Sequence, residues 1–228
     1  MRAKAFSVVA LLIGGCAAVP PPADAPTGAL PEPNLTGGEQ WTYIRINPYN
    51  KLVEDIVTET LRPAQPGYAL TRSSDRERTG QETEAVVAPW RVRTERMGAE
   101  SRMFSAPLTQ IPFPLAPGVC WSEAVAMIDA QGFRYDGRAD GCAQSWERVR
   151  TPAGDFNALK VYRLATLGDR DYRWNDTIVT DFYWYAPEVK RWVRREMRYT
   201  RSERSARLGR HVDRDWIVWE LTDYRAAP

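Results

Sequence analysis

Residues 174–200 read WNDTIVTDFYWYAPEVKRWVRREMRYT, and this stretch decides the fold class. Its first half places side chains alternately on two faces, as a β-strand does. One face receives Trp174, Ile178, Phe182 and Trp184, and the other receives Val179, Tyr183 and Tyr185. A strand that is apolar on both faces is covered on both sides. The segment Ala186-Pro187-Glu188-Val189 then turns the chain into a second strand from Arg191 to Thr200, which predicts a hairpin.

Further strands are predicted on both sides of this hairpin. They alternate or are rich in β-branched residues, and they cover Trp41–Ile46, Leu52–Leu61, Ala85–Arg93, Val119–Ile128, Gln144–Arg150, Phe156–Ala165 and Asp215–Tyr224. Thr151-Pro152-Ala153-Gly154 has proline and glycine at type I turn positions, which predicts a second hairpin. No long window shows an apolar stripe of helical period. The pattern predicts an all-β domain, a curved antiparallel sheet arranged as a sandwich, half-barrel or barrel.

The amino terminus has the composition of an export signal. Arg2 and Lys4 precede an apolar run that ends at Ile13, and Gly14-Gly15 leads into Cys16. The run of about 9 residues is too short for a membrane-spanning helix, which needs roughly 20. We therefore expect residues 1–15 to be a lipoprotein signal peptide and the Cys16 thiol to be acylated. A cleaved signal without lipid stays an alternative.

The residue after the cysteine bears on location. Ala17 stands where an aspartate would retain a lipoprotein in the inner membrane. We expect the protein to be anchored by several acyl chains in the outer membrane, facing the periplasm, since one chain alone anchors weakly. Residues 16–38 are rich in proline and are predicted to form an extended tether of about 3.1 Å per residue. Residues 39–228 then form one all-β periplasmic domain.

Two cysteines remain for the domain, Cys120 and Cys142. An even pair in an exported protein predicts one disulfide. The loop of about 20 residues that it closes is worth roughly 3 kcal/mol in the chain-entropy account. We expect it to tie a strand to the turn-rich segment from Gly132 to Gly141. With a single histidine in the chain, a metal site at these cysteines is a weak alternative.

The charge of the chain is concentrated in one region. The formal net charge of +2 disappears when Arg2 and Lys4 leave with the signal, so nothing in it calls for nucleic acid. Residues 190–214 contain ten basic and three acidic side chains, and within them Arg201, Arg204, Arg207 and Arg210 recur at every third position. These four arginines are expected either to be a solvated hairpin loop or to contact phosphate or carboxylate groups.

Motifs that carry catalysis are absent from the sequence. It contains no Gly-x-Ser-x-Gly, Ser-x-x-Lys, His-Glu-x-x-His or phosphate-binding glycine loop. His211 is the only histidine, and adjacent acids such as Glu54-Asp55 point to opposite faces of a strand. We expect no catalytic residue, no cofactor and no metal.

Three short motifs carry a resemblance. They are Pro152-Ala153-Gly154-Asp155-Phe156, then Trp184-Tyr185-Ala186-Pro187-Glu188-Val189, then Glu220-Leu221-Thr222-Asp223-Tyr224. In this order, over residues 110–225, the chain resembles a poorly characterised family of β-rich bacterial periplasmic proteins and lipoproteins of unknown function. The resemblance implies an envelope role and a curved antiparallel sheet. It implies no reaction, and Lys190 stands where the family pattern has glycine.

Aromatic side chains suggest a way of binding. Trp121, Trp174, Phe182 and Trp184 are candidates to line a groove for an acyl chain or for an apolar segment of a partner, and the alternative is that they are core. The leading hypothesis is a non-enzymatic lipoprotein that binds an apolar ligand or lipid in envelope assembly or maintenance. The alternative is an interaction module of an envelope complex that uses the arginine-rich hairpin, and an enzyme of unknown type is a third. The sequence leaves the oligomeric state open.

Overall fold

A computed structural model describes residues 20–76, 82–97, 100–128, 131–168, 174–203 and 211–227. In these ranges twelve antiparallel strands close into one barrel, in which every strand pairs with its neighbours in sequence and β1 pairs with β12. The strands are β1 Gln40–Ile46, β2 Val53–Pro63, β3 Tyr68–Ser74, β4 Glu82–Ala88, β5 Arg91–Met97, β6 Glu100–Thr109, β7 Cys120–Ile128, β8 Arg134–Thr151, β9 Gly154–Gly168, β10 Trp174–Ala186, β11 Arg191–Glu203 and β12 His211–Arg225. The all-β prediction is confirmed.

No helix within those ranges is long and apolar enough to cross a membrane. The predicted signal peptide and Cys16 lie outside the described residues, so acylation stays a prediction.

The two hairpins predicted from turn chemistry are present. Thr151 pairs with Gly154 at the β8–β9 turn. A single 3₁₀ turn, Pro187–Val189, joins β10 to β11, and Lys190 follows it with φ of 58°. Lys190 thus adopts the left-handed conformation for which the family pattern has glycine. Its ammonium group donates to the Asn34 carbonyl at 2.7 Å, so the lysine also makes a contact that glycine could not.

The segment Ala85–Arg93, predicted as one strand, belongs to two strands, because the chain turns in its middle. Pro89 and Trp90 separate β4 from β5, and Trp90 has φ of 56°. The Trp90 ring is buried, and its indole nitrogen donates to the Lys190 carbonyl at 3.0 Å. A contact with a residue 100 positions away therefore fixes this turn, and no local pattern predicts it.

Three strand segments lack the apolar alternation that would have predicted them: β3, β6 and the first half of β8. The segment from Gly132 to Gly141, read as turns, is mostly strand. Gly141 has a packing reason, because a Cβ there would lie 2.2 Å from the Trp121 ring. The glycine lets the indole of β7 lie across β8.

The disulfide joins Cys120 and Cys142 as predicted, but between two strands. The two residues pair directly across β7 and β8, and their Cα atoms are 4.0 Å apart. The expectation that it ties a strand to a turn-rich loop is wrong, since Cys142 lies within β8.

The backbone ladder between β6 and β7 is short. In the described part of the chain it pairs Met103 with Ile128 and Phe104 with Met127. Pro107 follows in β6 and has no N–H to donate to a ladder. At the strap end of this seam, the Glu123 carboxylate accepts from the Thr109 backbone N–H at 2.7 Å, so a side chain joins the two strands beyond the end of their backbone ladder.

Residues 20–38, which we call the strap, lie along one end of the barrel. Leu30 forms a backbone bridge with Leu115, and the buried Leu35 offers its carbonyl to the Tyr68 hydroxyl at 2.7 Å. Asp24 pairs with Arg148 at 3.0 Å. This part of the segment predicted to be an extended tether is therefore bound to the barrel, through apolar and charged side chains. We call this end the strap end and the opposite end, with the β1–β2 turn, the far end.

Candidate functional site

The barrel interior holds a first ion-pair cluster of Glu95, Arg163, Asp181 and Arg195. Arg163 donates to the two Glu95 oxygens at 2.9 and 2.8 Å and to Asp181 at 2.5 Å. Arg195 donates to Asp181 at 2.8 Å and to Glu95 at 3.0 Å. All four side chains are buried. Two carboxylates and two guanidiniums thus pair with each other in the buried interior.

A second ion-pair cluster joins β2, β3, β4 and β11. Arg72 donates to Glu59 at 2.6 Å and lies 3.4 Å from Glu84. Arg191 lies 2.6 Å from the other Glu59 oxygen. The Arg191 guanidinium is also 4.4 Å from the centre of the Trp90 ring, a cation–π distance. Both clusters balance acids against arginines, as buried charges require.

The buried acids differ in their electrostatics. Burial opposes ionisation of Asp181, but Arg195 and its neighbours outweigh burial and hold the pKa of Asp181 below its ordinary value. The pKa of Glu59 is lowered in the same way, by its two arginine partners. For Glu84, burial raises the pKa more than Arg72 lowers it, and the charge of Glu59 adds to the rise. Shifted pKa values often mark active sites, but networks of buried ion pairs shift them as well, and these acids belong to such a network.

Packed aromatic rings fill the interior around these clusters. The Tyr43 and Trp192 rings stack with centroids 4.0 Å apart, and Trp41 and Trp90 meet edge to face at 5.8 Å. A cavity beside Trp219 has a volume of about 20 Å³, which is room for about one water. These parts of the interior do not offer an acyl chain a place.

The four predicted ligand-lining residues do not come together. Phe182 and Trp184 lie on the outer face of β10, while their neighbour Tyr183 is buried inside. Lys160 covers both outer rings, at 5.2 and 5.1 Å from their centroids. The Trp184 indole donates to Glu147 at 2.7 Å, and the side chain of Trp174 lies outside the described residues. The outer rings are thus packed under long charged side chains.

Trp121 borders a surface pocket, which opens at the strap end beside the seam between β6 and β7. The pocket has a volume of about 520 Å³. Its apolar lining combines the Trp121 and Phe113 rings with three prolines, and Arg91 and Glu123 are among its polar residues. The volume lies within the range of small-molecule sites, and rings with a few polar groups are typical of them.

The arginine-rich stretch divides between the interior and the surface. Arg191 and Arg195 are buried partners of the ion-pair clusters, so residues 190–214 do not form one basic surface. Arg201 lies in β11, with its guanidinium 5.8 Å from the Tyr199 ring centroid. Arg204, Arg207, Arg210 and the side chain of His211 lie outside the described residues.

Sequence reasoning missed an exposed apolar group at the far end. Tyr49 is 72% exposed, Leu52 64%, Val53 47% and Ile56 42%. They flank the β1–β2 turn. They were missed because the apolar residues of a predicted strand were expected to face a core. The signal that could have found them is the run of apolar residues on both sides of a turn at Pro48, where exposure is the rule.

Among the described residues, no group of histidine, cysteine or acidic side chains is arranged to hold a metal ion. The chain matches no protein-family model, and no curated protein is significantly similar to it. Two solved structures align with most of it. One, provisionally described as a lipoprotein of Parabacteroides distasonis ATCC 8503, has 14% identity and a TM-score of 0.48 over 86% of this chain and 97% of its own.

The other, provisionally described as an exported protein with a YmcC-like fold, comes from Bacteroides fragilis NCTC 9343. It has 16% identity and a TM-score of 0.49 over 87% of this chain and 100% of its own. At these values the likeness carries no argument about function. The descriptions belong to those two proteins.

Proposed function

We propose that this protein is a lipid-anchored component of the bacterial envelope that acts by docking to a protein partner at its far end. The anchor is the predicted acyl group on Cys16 in the outer membrane. The observation that carries the docking role is the exposed apolar group at the β1–β2 turn. Four large apolar side chains exposed within eight residues are unusual on a monomer surface, and such groups mark interaction sites.

The position of the strap supports this role. Asp24, which is paired to the barrel at the strap end, follows Cys16 by only eight positions. An extended chain of that length reaches at most about 28 Å. The strap end is therefore held near the bilayer, and the apolar group at the far end projects away from it.

A second candidate function, binding of a small apolar ligand, rests on the strap-end pocket. It is favoured by the presence of Trp121 in a pocket of about 520 Å³. The interior itself is a poor carrier site where it is described, because rings and ion pairs fill it. If the ligand is an acyl chain, it binds at this surface pocket, and Trp121→Ala weakens uptake of a fluorescent acyl probe while Trp184→Ala does not.

Site-specific photocrosslinking in the producing cell tests the docking role. The photoreactive residue p-benzoylphenylalanine replaces Leu52 in the full-length protein. The matched control carries it at Phe133, which has the same exposed fraction of 64%. We expect a discrete adduct with an envelope protein from position 52 that disappears when Ile56→Asp is added. Equal adducts from both positions would contradict the proposal, since they would report random collisions.

A further inference from the structure

The exposed apolar group continues across three strands as one surface. Ile56 pairs with Ile44, and Val53 pairs with Ile46. These two cross-strand pairs place all four of their side chains on the outer face of β1 and β2, next to the turn that carries Tyr49 and Leu52. Ile46 also pairs with Val218 of β12. We call this surface the hairpin patch; it comprises Ile44, Ile46, Tyr49, Leu52, Val53 and Ile56.

An aromatic pair extends the hairpin patch onto β12. The Tyr49 ring meets the Trp216 ring edge to face, with centroids 5.2 Å apart. The indole of Trp216 donates to Glu196 at 2.9 Å, which fixes the ring in place. The patch is therefore a preformed surface that spans β12, β1 and β2, and binding would not have to order it.

The rim of the hairpin patch carries both signs of charge. Lys51 is exposed at the turn, and Glu54 follows it on β2 with its side chain 36% exposed. Arg198 lies over the Trp216 ring at 4.2 Å and is 53% exposed. An apolar centre with a rim of one sign would select a partner of the opposite sign. On this rim Arg198 lies 3.3 Å from Glu196 and Glu54 accepts from Asn47 at 2.9 Å, so charges of both signs are balanced within the chain and a second copy of the same surface is not repelled.

We propose, resting on the docking role above, that the partner at the hairpin patch is a second copy of this chain. The two copies pair about a two-fold axis parallel to the barrel axis. Such an interface is isologous, the same patch on both sides, and it is the commonest arrangement of soluble homodimers. The axis direction keeps both strap ends on one side, so both Cys16 anchors reach the same bilayer.

The size of the hairpin patch sets the expected strength. A standard interface buries about 800 Å² on each partner. Four exposed apolar side chains supply the centre of such an interface, and the charged rim must supply the rest. We therefore expect a weak dimer in dilute solution. Anchoring in one bilayer confines the copies and populates the dimer by raising their effective concentration.

Photocrosslinking with purified protein tests the second copy. The full-length acylated protein, with p-benzoylphenylalanine at position 52, is placed in vesicles of phosphatidylethanolamine and phosphatidylglycerol, where no other protein is present. We expect an adduct of twice the chain mass from position 52 and little from the matched position Phe133. Adding Ile56→Asp lowers the adduct at least about tenfold, since an unpaired carboxylate at an apolar centre is unfavourable.

The outcomes separate this proposal from the docking role. Equal adducts from positions 52 and 133 in vesicles overturn the dimer. If position 52 then still forms a specific adduct with another protein in cells, the dimer falls and the docking role stands. If neither experiment gives an adduct specific to position 52, both fall. Near-ultraviolet circular dichroism of each variant controls for misfolding.

Discussion

Asp181→Asn tests whether the first ion-pair cluster determines stability. The substitution removes one negative charge with almost no change in shape. Asp181 accepts hydrogen bonds from Arg163 at 2.5 Å and from Arg195 at 2.8 Å, and all three side chains are buried. Removing one partner of a buried ion pair costs about 3–5 kcal/mol, because the remaining charges stay buried without compensation. We expect the free energy of unfolding to fall by about that amount.

Urea unfolding followed by tryptophan fluorescence, with the disulfide intact, measures this change. The matched control is Asp140→Asn. Asp140 accepts from Arg138 at a similar distance, 2.8 Å, but its side chain is 41% exposed, so we expect an almost unchanged midpoint. If both variants unfold at the wild-type midpoint, the reasoning that burial makes the cluster important is refuted. A lowered m-value would instead show a change in the compactness of one of the states.

The pH dependence follows from the direction of the shift. The pKa of Asp181 is lower in the folded state than its ordinary value, so its contribution is complete above the unfolded pKa near about 4. The contribution is lost as the pH falls through the folded pKa. We therefore expect the stability difference between the wild type and Asp181→Asn to be full at pH 7 and to narrow below about pH 4. A difference that stays constant into strong acid would contradict this assignment.

Three further predictions concern the buried acids, the disulfide and a glycine. At pH 7 Glu84→Gln should lower the urea midpoint less than Glu59→Gln, because the pKa of Glu84 is raised and that of Glu59 is lowered in the folded state; the reverse order would refute the electrostatic argument. Cys120→Ala should lower the free energy of unfolding by about 3 kcal/mol. A reductant should lower the stability of the wild type by the same amount and should leave the stability of the variant unchanged. Gly141→Ala should cost about 1–3 kcal/mol because its Cβ would lie 2.2 Å from an indole ring, whereas Gly28→Ala, with open space around it, should leave the thermal midpoint unchanged.

Local chemistry accounts for the features that the sequence predicted correctly. Proline and glycine at fixed offsets define the β8–β9 turn, and Pro187 starts the β10–β11 turn, so both hairpins were readable from a few neighbouring residues. The alternation in β10 correctly assigned its two faces. The disulfide was predicted from the export signal and from the even number of cysteines that remain for the domain. The acylation of Cys16 and the location in the envelope remain predictions of the same local kind.

Contacts between distant residues decided the rest. Closure of the barrel by β1 and β12 joins segments some 180 residues apart, and no periodicity specifies it. The turn at Trp90 depends on a carbonyl of the β10–β11 connection.

Dependence on distant residues also explains why the ion-pair clusters could not be predicted from the sequence. In the sequence, Arg191 and Arg195 belong to a basic run of the kind that is normally solvated. In the structure they are buried, because Glu59, Glu95 and Asp181 from other strands meet them inside the barrel. Burial of a charge is favourable only where a counter-charge is already placed. Apolar residues near Pro48 are exposed for the converse reason, since the barrel is complete without them.

The sequence by itself determined strands, turns and the cysteine pair, which depend on neighbours in the chain. The tertiary structure alone decided which side chains face the interior, because that depends on which strands become neighbours in space.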